Sequence, residues 1–230
     1  MPPLRRHWDT LMQLLRLPVA HLAFEQQRAP EAIRATYRHF TKRHPRYKLI
    51  GNKTMGAALI DLGALAHRDG YLAHIAGKNG GAHYARRART RGYVCTEIDR
   101  NAYVDEIHAI NTSLASRQGR PMDAGYLAKR QQFDTEPHFR YFGALDAQGR
   151  LAAYANVGQF GNFAAFSQLI GLRNNDGAMH LLVVEIVCRL LDEGAVRYIM
   201  YDTYFGAQSG LQNFKTMLGF SPYRAKYSLR

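Results

Sequence analysis

GLQNFKTMLGFSPYRAKYSL, at residues 210–229, is the most informative segment of this 230-residue chain. It predicts a helix over 210–219 that ends at a Gly-Phe pair and continues directly into a last strand over 220–229. Glycine is favoured just past a helix C-terminus because it adopts the left-handed backbone conformation without strain. A buried Phe220 after Gly219 explains the pair by packing alone, so the segment indicates a fold and not yet a reaction.

The segments before it follow a regular order. Three apolar stretches separated by tight, glycine-containing turns predict an antiparallel meander. From residue 92 onward the predicted elements are strand 93–99, helix 102–117, helical stretch 126–133, strands 138–145, 151–160 and 163–172, loop 173–179, helix 180–194 and strand 196–205. This order predicts an α/β (α+β) domain with a mixed, mostly antiparallel sheet and flanking helices.

The first 91 residues predict a basic helical extension packed on the domain at 92–230. Residues 8–45 have apolar positions at helical spacing, residues 54–62 form a short apolar strand, and a glycine-rich patch follows. A helix ending at Gly92 carries four arginines in six residues. These arginines cannot share one face, so we expect several of them to be solvated or to bind phosphate: Arg86, Arg87, Arg89 and Arg91.

The composition is that of a folded protein with a strong positive charge. The net charge is +13, and residues 1–120 hold 20 Lys and Arg against nine Asp and Glu. Such a field attracts polyanions: tRNA or other nucleic acid, an acidic carrier protein, an anionic membrane or coenzyme phosphates. No apolar run approaches the ~20 residues of a membrane span. We expect a cytoplasmic protein, whose first residues form either a docking helix or a helix in weak contact with a membrane surface.

Several classes of chemistry lack support in the sequence. The ten histidines show no HxxxH or HxH pair beside a carboxylate, so no metal site is expected. His83, His108 and His180 are expected to be single histidines with satisfied hydrogen bonds. Neither a GxSxG elbow nor a GxxxxGK[ST] loop occurs, which argues against a serine hydrolase of that type and a P-loop nucleotidase.

The order of elements over residues 92–230 and the closing Gly-Phe helix resemble the GNAT superfamily of N-acyltransferases. In that family the donor's pyrophosphate binds backbone N–H groups where the fourth strand turns into its helix, which is a general anion site. The resemblance places this turn at 173–179, where Arg173 and Ala178 match the family pattern. Asp176 stands where the first glycine belongs, and a carboxylate there is expected to repel a pyrophosphate. An ordinary turn capped by Asp176 is the alternative.

The resemblance also implies the residues of the site. The donor carbonyl is expected where the fourth and fifth strands part. Tyr204 is the candidate general acid toward the leaving group, and Asp202 the candidate base or amine-orienting carboxylate; a core tyrosine and a turn cap are the respective alternatives. The donor-binding candidates are Gln168, Leu169, Ile170, Arg173, Asn174, Asn175, Gly177, Ala178, Met179 and Lys215.

Three functions follow from this resemblance. The first is an N-acyltransferase that takes an acyl group from an acyl-CoA or acyl carrier protein thioester and adds it to the amine of a small molecule or peptide. The second is a Fem-type, aminoacyl-tRNA-dependent transferase, because AGKNGGAHYARRARTRGY and the Tyr-Asp strand end before Gly-Leu-x-x-Phe-Lys are similar to that branch. The third is a non-enzymatic nucleic-acid-binding protein on a degenerate GNAT scaffold, which predicts strongly salt-dependent RNA or DNA binding.

Overall fold

The computed structural model describes residues 14, 16–45, 48–77, 80–117, 120–174 and 176–230. Its strands are β1 Val19–Phe24, β2 Met55–Asp61, β3 Val94–Glu97, β4 Ser116–Arg117, β5 Arg120–Pro121, β6 Phe139–Leu145, β7 Leu151–Gln159, β8 Phe163–Gly171, β9 Tyr198–Thr203 and β10 Ser221–Leu229. Its helices are α1 Pro30–Thr41, α2 Arg68–Ala76, α3 Gly81–Thr90, α4 Val104–Thr112, α5 Ala124–Leu127, α6 Ala178–Glu193 and α7 Ser209–Met217.

Eight strands form one sheet in the order β1-β10-β2-β9-β8-β7-β6-β3. The pairs β1/β10 and β8/β9 are parallel and the other neighbours are antiparallel. The predicted mixed, mostly antiparallel sheet with flanking helices is therefore confirmed. The β6–β7–β8 meander also forms as predicted, and α6 makes the crossover that a parallel β8/β9 pair requires.

The last helix and strand also form where the sequence predicts them. Gly219 has φ +90°, and Phe220 is 2% exposed. The left-handed conformation of Gly219 lets the chain leave α7 and enter β10 at once. Phe220 then packs into the core between the sheet and α6.

The first 91 residues supply two strands of the same sheet. β1 pairs with β10, and β2 lies between β10 and β9. The helical prediction over 8–45 was wrong at β1, because a strand of six residues is stabilised by pairing with a segment about 200 residues away and has no signal of its own. The expected helix at the very start of the chain lies largely outside the described residues.

Helices cover both faces of the sheet. α2, α3 and α6 pack on one face around Ile199, Phe220 and the apolar side of α6. On the other face, α1 packs over β1 and β10, and α4 packs over β7 and β8. No described helix is both long enough and apolar enough to cross a membrane.

Candidate functional site

The site lies where β8 and β9 part. The two strands pair only through Phe163↔Tyr198, Ala164↔Ile199 and Ala165↔Met200. Beyond these pairs β8 continues alongside β7, and β9 continues alongside β2. A cleft therefore opens between Phe166 and Tyr201, at the position that the sequence predicts for the donor carbonyl.

Two cavities meet at this cleft from opposite faces of the sheet. The first, which we call the α6 cavity, measures ≈ 460 Å³. It lies between residues 172–174 and 176–177, the start of α6, and α7. The second, the α1 cavity, measures ≈ 500 Å³ and lies beside α1 and the ends of β8 and β9. Leu169 and Tyr201 line both cavities. The cleft therefore connects the two faces through these two residues.

A third cavity adjoins the second. This α4 cavity measures ≈ 440 Å³ and lies between α4, α5 and the strands β6–β8. Asp123, Tyr126, Phe139, Ser167 and Gln168 line both the α1 and the α4 cavities. One face of the sheet therefore carries a two-lobed space that reaches the cleft.

The carboxylate of Asp176 lines the α6 cavity and is paired with its neighbours. It forms an ion pair with Arg91, and the Tyr93 hydroxyl donates a hydrogen bond to its Oδ2 at 3.0 Å. Asn174 Nδ2 in turn donates to the Tyr93 oxygen at 3.0 Å. Because Arg91 compensates its charge, Asp176 opposes an anion at this loop less than the sequence pattern suggests.

Gly177 brings the start of α6 against α3. It has φ +88°, and a Cβ at this position would lie 2.3 Å from the backbone oxygen of Tyr84. Gly177 is a donor-binding candidate from the sequence, but its contact with α3 already requires glycine at this position. The first-turn amides of Ala178 and Met179 and the exposed Arg173 border the α6 cavity. Asn175 lies outside the described residues.

His180 lies on the wall of the α6 cavity with an unused ring nitrogen. Its ring stacks on Tyr84, at 4.7 Å between centroids, and meets the edge of Phe214 at 4.8 Å. Its Nε2 is buried and has no hydrogen-bond partner among the described residues. Burial lowers the pKa of His180 to about 4, so the ring is neutral at pH 7. The expectation of a satisfied histidine was wrong here and at His108, whose buried Nδ1 also lacks a described partner.

Tyr201 is the tyrosine that faces the cleft. Its ring packs against Phe166 and Phe220 at centroid distances of 5.6 and 5.8 Å, and Lys215 Nζ lies 4.7 Å from its ring centroid. Burial, and then the charge of Asp202, raise the pKa of Tyr201 well above its ordinary value. The hydroxyl therefore stays protonated and can donate. No role of Tyr201 was predicted from the sequence, because the resemblance pointed to Tyr204 as the general acid.

Tyr204 lies beyond the end of β9. Its hydroxyl shares a 2.5 Å hydrogen bond with Thr216 Oγ1, and its backbone N–H donates to the Gly56 oxygen. It is absent from the linings of the three cavities described above. The structure therefore brings Tyr201, and not Tyr204, to the place where the strands part.

Asp202 faces the α1 cavity. It has φ +53°, which is uncommon outside glycine and marks a constrained strand end, and it forms an ion pair with Lys53. His39 lines the same cavity. Burial, and then the charges of Lys42 and Lys53, lower the pKa of His39, while Asp202 opposes this shift. Nothing in the sequence indicates that Lys53 meets Asp202, because 149 residues separate them.

The remaining donor candidates divide between the faces. Leu169 lines both cavities, whereas Gln168 and Ile170 line the α1 cavity and not the α6 cavity. Lys215 is 1% exposed, and its Nζ donates to the Thr203 backbone oxygen at 2.7 Å. Burial lowers the pKa of Lys215 to about 8. This lysine therefore lies beneath the cleft and braces the end of β9.

The four arginines of α3 and its end have different surroundings. Arg89 forms an ion pair with Glu185, which Arg68 also contacts at 2.8 Å, and Arg91 is held by Asp176. Arg86 is exposed. Arg89 and Arg91, two of the predicted polyanion-binding side chains, thus have carboxylate partners, and Arg87 is half-buried. In the described part of the chain, no group of three or more His, Cys, Asp or Glu side chains could hold a metal ion.

Comparisons with known proteins support the fold. No family model matches the sequence, and no curated protein matches it. FemX is 9% identical with a TM-score of 0.56, and the match covers 73% of this chain and 59% of FemX. A protein of unknown function from Bacteroides thetaiotaomicron is 14% identical with a TM-score of 0.51, over 73% of this chain and 56% of that protein. The L-PGS of Bacillus licheniformis is 13% identical with a TM-score of 0.48, over 72% and 57%.

The similarities to FemX and to the Bacteroides thetaiotaomicron protein confirm the sequence-based resemblance at the level of fold. The chain has a divergent GNAT-like fold that is shared with FemX. It spans a little under three fifths of the length of the solved structures that it resembles. Identities of this size establish a shared architecture and leave the reaction to be argued from the site.

Proposed function

We propose that this protein is an N-acyltransferase that moves an acyl group from a thioester donor to an amine. The observation that carries the proposal is the junction of the α6 and α1 cavities at Leu169 and Tyr201. A donor that enters from one face and an acceptor that enters from the other meet in the cleft between β8 and β9. Holding two reactants in this way supplies much of the rate of an acyl transfer.

The α6 cavity suits the donor. The amides at the start of α6 and the positive end of its helix dipole favour a phosphate, and Arg173 adds a cation at the same mouth. The Arg91–Asp176 pair leaves the loop without a strong opposing charge. We therefore place the phosphates of coenzyme A, or of a carrier protein's phosphopantetheine, at this loop, with the thioester extended toward Leu169.

The α1 and α4 cavities suit an amine. Four carboxylates line them, against three Lys and Arg: Asp123, Asp134, Glu136 and Asp202, with Lys53, Arg100 and Arg130. This acidic excess stands out in a chain of net charge +13. An ammonium group is attracted to such a lining, and Asp202 is the carboxylate at the cleft that can orient it.

The chemical step is an aminolysis. The amine nitrogen forms a bond to the thioester carbon, the C–S bond breaks, and the products are an amide and a thiol. The bound ammonium first loses one proton to water, and Asp202 or water takes the second proton that the nitrogen loses as the amide forms. The Tyr201 hydroxyl protonates the departing sulfur, and solvent then restores the proton of the tyrosine. Backbone N–H groups along the cleft are the candidate oxyanion donors.

An aminoacyl-tRNA is the second candidate donor. It is favoured by the charge of the first 120 residues, which hold 20 Lys and Arg against nine Asp and Glu. The Tyr-Asp end of β9 and the GLQNFK segment, which are similar to the Fem-type branch, also favour it. A purely nucleic-acid-binding role ranks third, because Arg89 and Arg91 already have carboxylate partners.

A donor screen tests the proposal. Purified protein would be heated with acetyl-CoA, long-chain acyl-CoA, acyl carrier protein or charged tRNA, and then assayed by mass spectrometry for transfer to a panel of amines. A thioester donor is expected to raise Tm and to yield an amide. Aminoacyl transfer from charged tRNA would identify an aminoacyl-tRNA, and not a thioester, as the donor. Salt-sensitive RNA binding without any transfer would overturn the enzymatic proposal.

A further inference from the structure

Buried polar atoms without partners concentrate around the cavities. Four such side-chain atoms occur among the described residues: His108 Nδ1, His138 Nδ1, Asn156 Oδ1 and His180 Nε2. His108 and Asn156 both line the α4 cavity. A buried polar atom without a partner costs free energy, so native proteins keep few of them without a reason.

Asn156 is the most enclosed of these cavity-lining side chains. It is 6% exposed, its Nδ2 donates to Gln168 Oε1 at 2.5 Å, and its Oδ1 has no partner. The register between β7 and β8 shifts at Asn156/Val157. A shift of this kind re-aims side chains and is common beside binding sites.

A neighbour on the same strand shows that the fold can satisfy such a group. Tyr154, two residues earlier on β7, donates its hydroxyl to Asn111 Oδ1 at 2.8 Å, and both residues line the same cavity. Both asparagines are buried, at 6% and 8% exposure. The fold therefore gives the oxygen of Asn111 an internal partner and leaves the oxygen of Asn156 without one.

We propose that the α4 cavity binds the body of a polar amine acceptor, with Asn156 Oδ1 accepting a hydrogen bond from a hydroxyl or amide N–H of that body. This inference rests on the proposed function. Gln168 stands between the α1 and α4 cavities and is only partly buried. The acceptor displaces the Gln168 side chain, donates to the Asn156 oxygen, accepts from Asn156 Nδ2 in place of Gln168 Oε1, and keeps its amine beside Asp202.

The size and chemistry of the cavity define the substrate class. A volume of ≈ 440 Å³ is within the range of about 300–1,000 Å³ that is usual for ligand sites. Its lining combines amide, imidazole and carboxylate groups with the rings of Tyr126 and Tyr141. An amino sugar or an amino-acid amide can use these groups, whereas a simple alkylamine leaves them unpaired.

Steady-state rates with glucosamine, glycinamide and butylamine test the inference, with whichever donor the wild-type protein uses. We expect Asn156→Leu to raise KM for glucosamine and glycinamide by about 10- to 100-fold, with little change in kcat. KM for butylamine should not change, and Tm should stay equal or rise, because an unpaired buried oxygen has been removed. Asn156→Asp keeps an accepting oxygen and should retain most of the affinity for the polar amines.

Asn162→Leu is the matched control. Asn162 lies in the turn between β7 and β8, and both ends of its amide bond the backbone of β1, at His21 and Ala23. Its replacement should lower Tm and leave every KM unchanged. If Asn156→Leu leaves KM for glucosamine and glycinamide unchanged, or raises KM for butylamine equally, the inference is wrong. The proposed transferase activity would not be affected by either result. A wild-type protein that acylates none of the three amines would count against the inference and the proposed function together.

Discussion

At the cleft, the alternation of side chains along β9 decides which residue can act. Tyr201 faces α6 and α7, and Asp202 faces the α1 cavity on the opposite side of the sheet. The left-handed conformation of Asp202, φ +53°, then turns the chain, so that Tyr204 meets Thr216 and not the cleft. Identical residue types three positions apart thus acquire different environments.

The two tyrosines provide a direct comparison. We expect Tyr201→Phe to lower kcat by about 10²-fold or more, because the leaving group loses its proton donor, while donor affinity changes little. Tyr204→Phe removes the same hydroxyl outside the cleft and should leave kcat within a factor of about three. The measurement is steady-state kinetics on both variants. The opposite pattern would assign the proton to Tyr204, as the sequence suggests.

His180 makes stability depend on acid pH. Its folded pKa, about 4, lies below the ordinary value of 6.5, so the unfolded chain binds more protons between these pH values. The contribution of neutral His180 to the free energy of unfolding is fully present above pH 6.5. It is lost as the pH falls toward 4, by up to about 3 kcal/mol. His180→Phe should flatten this part of the Tm profile, whereas the exposed His83→Phe should not. Parallel profiles of Tm against pH for wild type and His180→Phe would contradict the lowered pKa of His180.

Among the elements, the junction of α3 and α6 shapes the donor side. α3 packs along α6, and Gly177 lets the first turn of α6 approach the Tyr84 carbonyl. Arg91 and Tyr93, at the end of α3 and just after it, hold Asp176. The basic helix for which the sequence predicts polyanion binding therefore has a structural role, because it positions the start of α6 and Asp176.

Gly177→Ala is expected to destabilise the protein by about 2–4 kcal/mol, from backbone strain at φ +88° and the clash with Tyr84. Gly194→Ala is the matched control, since Gly194 ends the same helix at φ +61° with no atom within 4 Å of an added Cβ. It should cost only about 1 kcal/mol. Denaturant unfolding measures both. Equal losses in the free energy of unfolding for the two variants would mean that the first turn of α6 is not in tight contact with α3. A larger side chain at Gly177 would disturb the fold and cannot test donor binding.

In the molecule as a whole, the basic part at residues 1–91 and the GNAT-like part at 92–230 share one sheet. β10 lies between β1 and β2, both of which come from the first 91 residues. The predicted boundary at residues 91 and 92 does not coincide with any break in that sheet.

Residues 92–230 alone are therefore expected not to fold. Without β1 and β2, β10 loses both of its neighbours and β9 loses one, which exposes apolar surface and unpaired backbone groups. Circular dichroism and limited proteolysis of 92–230, with the full chain as the control, would test this. A cooperative thermal transition in the fragment would restore 1–91 as a separable extension.

The sequence by itself determined the elements whose signals are local. The β6–β8 meander, α6, β9, α7 and β10 follow from apolar periodicity and glycine turns within a few residues. Only the tertiary structure decided that β1 joins the sheet and that Tyr201 faces the cleft. It also decided that Arg91 pairs with Asp176 and that Lys53 pairs with Asp202. These contacts join residues about 85 to 205 positions apart, and their free energy arises only when the sheet closes, so no local pattern encodes them.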